Sequence, residues 1–124
     1  MRTATVKIHD KEYLVCFSTR VLLAIEEREG YSEKGLQRIL KDGKASDLFW
    51  LLAQMVDAGN RYAKIEGIDN PGTISYDEIL DTVGVDEYQN MFTAIVEAVK
   101  AGNTPTIKTT PAKRKNAKTT QQDE

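Results

Sequence analysis

The chain has 124 residues, with 17 Lys and Arg against 19 Asp and Glu, one His and one Cys, for a formal net charge of −2. That length admits one domain with a single modest core. A lone cysteine excludes an intramolecular disulfide framework, and no apolar run approaches the ~20 residues of a membrane-spanning helix.

The opening MRTATVKIHDKEY lacks the apolar core of a signal peptide, so a reducing cytoplasm is the expected location. Ala4 to Ile8 and Glu12 to Phe17 are rich in strand formers, and the polar His9-Asp10-Lys11 between them predicts a hairpin. Tyr13, Val15 and Phe17 point one way, Leu14 and Cys16 the other, so both faces are apolar. Such a hairpin needs cover from helices, from another subunit, or from both.

Helices follow. Ser18 or Thr19 is placed to cap one through about Glu29, with Val21, Leu22 and Ile25 inward and Gly30 as its stop. Ser32 opens a shorter one carrying Leu36, Ile39 and Leu40, closed by Gly43. Ser46 is the expected cap of the longest helix, which runs to about Glu66 before Gly67. Ser75-Tyr76-Asp77-Glu78 is a capping box for a short helix through Val83, with Gly84 as its expected stop. Asp86, with Gln89 three residues on, is expected to start the last helix, to Ala101. These elements predict an α+β fold that is mostly α: an N-terminal β-hairpin packed on a bundle of about five helices.

At Gly102 the chain changes character. Residues 1–102 hold 12 Lys and Arg against 17 Asp and Glu, a net −5; residues 103–124 hold 5 against 2, a net +3. In the segment NTPTIKTTPAKRKNAKTTQQDE, Ile107 is the sole large apolar side chain. Too little apolar surface is present to offset the entropy of ordering, so a disordered basic tail over 103–124 is expected after a folded domain over 1–102. An acidic body argues against a nucleic-acid surface on the fold, although Lys113-Arg114-Lys115 offers a small basic arm.

The longest helix carries an anomaly. At about 100° per residue, Leu48, Leu51, Leu52, Met55, Val56, Gly59, Tyr62 and Ala63 share one face. Asp47, Gln54, Asp57, Arg61 and Lys64 share the other, and Trp50 falls in the middle of that polar arc. Either another element, such as the hairpin, covers Trp50, or it anchors a partner. The candidate partner-binding residues are therefore Trp50, Asp47, Gln54, Asp57 and Arg61.

Catalytic chemistry finds no constellation. Cys16 would need a positioned base, and His9 sits in the hairpin turn. GIDNPGTISYDE over residues 67–78 imitates a calcium loop, but Gly67 and Pro71 take ligand positions and offer no side-chain oxygen. Acidic residues around Asp77, Asp81, Asp86 and Glu87 suit two helix N-termini. Walker, dinucleotide-binding and zinc spacings are missing, so no catalytic residue, cofactor or metal is expected.

Taken in order, VKIHDKEYLVCFSTRVLLAIEEREG, DLFWLLAQMVDAGNRYAKIEG and NPGTISYDEILDTVGVDEYQNMFTAIVEAV resemble the tail assembly chaperones of long-tailed, siphovirus-type bacteriophages over about residues 5–101. The resemblance lies in the order and pattern of elements. It implies a non-enzymatic protein of the host cytoplasm that binds the tape measure protein while tail tube subunits polymerise around it. Major tail tube protein and further copies of the chain are additional partners under that reading. It also implies a frameshifted longer form, and Arg114-Lys115-Asn116 can be encoded by a slippery run A-AAA-AAC. A small regulator with a basic arm and a structural tail or connector subunit remain open beside it.

Overall fold

The computed structural model describes residues 3–103. Residues 104–124 of the expected tail, with the Arg114-Lys115-Asn116 site, lie outside these residues. Strand β1 (Thr3–Ile8) pairs antiparallel with β2 (Lys11–Cys16), with Val6 opposite Tyr13 and Ile8 opposite Lys11. His9 (φ 50°) and Asp10 (φ 67°) form a two-residue loop in which both residues are left-handed. That conformation matches the right-handed twist of the flanking strands.

Five α-helices follow: α1 (Thr19–Glu29), α2 (Glu33–Asp42), α3 (Ala45–Glu66), α4 (Tyr76–Thr82) and α5 (Tyr88–Gly102). The fold is α+β and mostly α, as the sequence pattern predicts. Gly30, Gly43 and Gly67 close the first three helices in the left-handed conformation. The Ser75 capping box is complete: Ser75 Oγ accepts from the Glu78 N–H at 3.1 Å, and Glu78 Oε1 accepts from the Ser75 N–H at 3.3 Å.

Two helix starts differ from expectation. The long helix begins at Ala45, because Lys44 takes the extended conformation straight after the Gly43 cap and its carbonyl accepts from the Leu48 N–H. Ser46 therefore lies inside the first turn. The last helix begins at Tyr88, not at Asp86. The Glu87 N–H bonds to the Gly84 carbonyl at 2.9 Å and closes a 3-10 turn over Val85–Glu87. Ser18 and Ser32 occupy cap positions without making a side-chain cap bond.

The hairpin sits at the centre of the packing. Helix α3 lies along β2, and α5 packs on β1. At Gly59 the approach is so close that a Cβ would overlap the Leu14 carbonyl. Gly102 meets the Phe17 carbonyl in the same way, so both positions demand glycine. Asn70, from the loop after α3, accepts the Leu14 N–H at 2.9 Å and donates to Asn60 Oδ1 and to the Gly72 carbonyl. Val15, Ile25, Ile39, Leu48, Leu51, Leu52, Met55, Ile79 and Ile95 are fully buried and form one core. Cys16 is buried, as a small hydrophobe in that strand would be. Among the described residues, no helix is long and apolar enough to cross a membrane.

A candidate partner-binding trough between α1 and α3

The outward arc of α3 divides into two halves with different surroundings. In the first half, Asp47 is only 6% exposed, although the helical wheel assigns it to the polar arc. Its Oδ1 accepts from Arg28 Nη2 at 2.8 Å and its Oδ2 from Arg38 Nη2 at 3.1 Å. Arg38 also grips Glu29 through two nitrogens and Asp42 at 3.0 Å, while Arg28 donates to Glu29 at 3.0 Å. Charges from α1, α2 and α3 thus meet in one network. Burial pushes the Asp47 carboxyl up, but hydrogen bonds and charge from Arg28 and Arg38 outweigh it, so it titrates below its ordinary value. Hydrogen bonding to Arg38 likewise lowers Glu29, against a smaller effect of burial. The same carboxylates raise Arg38 above its ordinary value, Glu29 first among them.

Trp50 joins this network. It packs partly buried against the core, and the Arg28 guanidinium stands 4.6 Å from its ring centroid. Part of its cover therefore comes from Arg28 of α1. Arg28 serves two partners at once, stacking on the indole and neutralising Asp47. Asp47 and much of Trp50 are engaged inside the fold.

In the second half, the arc is open. Gln54 and Asp57 form one wall of a groove of about 540 Å³, and Arg20, Leu23, Ala24 and Glu27 of α1 form the other. Arg20 leads into a second hollow of about 370 Å³ bounded by Ala58, Arg61, Tyr62 and Ile65. Together they make a trough between α1 and α3. Arg61 bridges Asp57 at 3.0 Å with both side chains about half exposed, so this pair organises the wall and adds little stability. Leu23 is 57% exposed and Ile65 is 78% exposed. Of the five candidate residues, the structure brings Gln54, Asp57 and Arg61 to the trough and draws Asp47 and Trp50 into the ion network.

Leu23 and Ile65 were missed by sequence reasoning, yet a signal existed. Leu23 falls off the inward set Val21, Leu22 and Ile25, and Ile65 falls off the apolar face of α3. The argument that singles out Trp50 applies equally to both. A mixed-charge trough with exposed aliphatic side chains can accept a helix whose apolar residues recur at i, i+3 and i+4. No family model, curated protein or solved structure matches this chain.

Proposed function

We propose that this chain is a non-enzymatic tail assembly chaperone of the long-tailed phage type, working in the host cytoplasm and binding an amphipathic stretch of the tape measure protein. The observation that carries the reading is the α1–α3 trough, with Leu23 and Ile65 exposed along it on a body of net negative charge. A tape measure chain presents long helices with apolar stripes. A protein that keeps such stripes from aggregating needs a helix-sized apolar groove on a well-hydrated surface. The order of elements, from hairpin through long helix to capped short helix, supports the same reading. Arg20 and Arg61 along the trough, with Glu27 and Asp57 facing them, favour a partner helix carrying both signs of charge.

The test is co-expression with the tape measure protein of the same genome, sought as a very long coiled-coil-like gene downstream. The expected result is a soluble complex that survives gel filtration, while tape measure protein expressed alone precipitates. Leu23→Asp and Ile65→Asp should each weaken the complex by at least about tenfold, roughly 1.4 kcal/mol, and leave the melting temperature unchanged. If both variants bind as the parent does, the trough is not the binding surface. If the tape measure protein is equally soluble without this chain, the chaperone reading fails. Recovery of this chain from finished particles would favour the structural-subunit reading instead.

A further inference from the structure

We propose that the outer edge of β1 is a strand-addition site for an extended partner segment with alternating apolar residues and a carboxylate on its outward face. The inference goes beyond the chaperone reading and does not depend on it. It starts from the two-residue loop at His9 and Asp10. That loop makes Ile8 and Lys11 the closing hydrogen-bonded pair. Alternation along an antiparallel ladder then turns the main-chain groups of the Thr5–Leu14 and Lys7–Glu12 pairs outward.

The two edges are treated differently. On β2, the outward N–H of Leu14 is taken by Asn70, and its carbonyl lies under Gly59 of α3. On β1, the outward main-chain groups of Thr5 and Lys7 have no hydrogen-bond partner among the described residues. A hollow of about 270 Å³ runs beside that open edge, with Val6, Val83, Met91 and Ala94 as its apolar wall and Glu87 and Asn90 at its polar side. A strand paired to β1 would send alternate side chains into this hollow and the others outward beside Thr5 and Lys7. Both residues are exposed, and Lys7 makes no ion pair among the described residues, which leaves its charge for a carboxylate on the incoming strand.

A second copy fits this edge poorly. Pairing β1 with another β1 sets the strands about 4.8 Å apart. Helix α5 packs on β1, so the two α5 helices would lie over neighbouring strands, where helices need about 8–10 Å. An extended segment with no helix on its back meets no such conflict.

The experiment is residue-resolved amide exchange by NMR on the full chain, with the capped hexapeptide TVEVTV as probe. The expected result is saturable protection of the Thr5 and Lys7 amides by about tenfold or more, with the α1–α3 trough unaffected. The same peptide N-methylated at alternate residues, in the phase that faces β1, should give no protection. Thr5→Pro should also abolish it, since an outward N–H on an edge strand can be lost without breaking the hairpin. Should Thr5→Pro unfold the protein, the N-methylated peptides decide the question alone. Unchanged exchange at saturating peptide overturns the proposal, as does equal binding of peptides methylated in either phase. Protection that rises with protein concentration when no peptide is present assigns the edge to a second copy, and also overturns it.

Discussion

At Asp47 a buried carboxylate holds two arginines from two other helices, and this sets how the protein responds to acid. Free carboxylates titrate near pH 4. Asp47 and Glu29 titrate lower in the folded chain, so their contribution is present above about pH 4 and is lost as pH falls through their lowered values. Asp47→Asn should cost about 1.5–3 kcal/mol at neutral pH, the range for hydrogen bonds to charged groups. The difference from the parent should shrink as pH drops below about 4, which urea unfolding across a pH series would reveal. A constant difference at every pH would mean that the side chain acts by shape and not by charge. Trp50→Ala should cost less than the ~3–5 kcal/mol of a fully buried aromatic, because one indole face meets Arg28 and solvent. Thermal unfolding of Trp50→Ala beside Arg28→Met would separate the packing of the ring from the stacking. Neither contact is legible in the sequence. Arg28 and Asp47 are 19 residues apart, and no helical wheel relates two helices to each other.

The elements themselves are legible where the signal is local. Both strands, the glycine stops at Gly30, Gly43 and Gly67 and the Ser75 capping box come from residues within a few positions of one another and appear in the fold. Helix α4 instead ends at Thr82 with Val83 as its cap, and Gly84 opens the 3-10 turn. Starts fail where a neighbouring element intervenes. Lys44 opens α3 because α2 has just been closed at Gly43, and the 3-10 turn before Tyr88 overrides the Asp86 signal. The trough was half visible: the polar arc of α3 pointed to Gln54, Asp57 and Arg61, but the wall from α1 required tertiary structure. The hairpin carries its own test. Gly59→Ala should destabilise by about 1–3 kcal/mol or more, since the Leu14 carbonyl has nowhere to move against its own strand. Asp10→Gly should raise stability by a few tenths of a kcal/mol, as glycine relieves the left-handed strain but loses more entropy on folding. Chemical denaturation midpoints of the two variants should shift in opposite directions.

For the whole molecule, the last element among the described residues is α5. Cutting the chain after Gly102 should leave the melting temperature almost unchanged, since the helix and its contact with Phe17 are complete by then. A fall of several degrees would place part of residues 103–124 in the folded body.

The meeting of Gly102 with Phe17 also bears on the order in which the protein is made. The hairpin is translated well before the helix that seats it. The 85 residues from Ser18 through Gly102 take roughly 4–17 s to synthesise at ~5–20 residues per second. Throughout that interval the nascent hairpin lacks its α5 cover and keeps its apolar surfaces accessible. A chain stopped before Tyr88 should therefore fail to fold and stay protease-sensitive on the ribosome. Protection should arrive in a single step, once the final turn of α5 has been released.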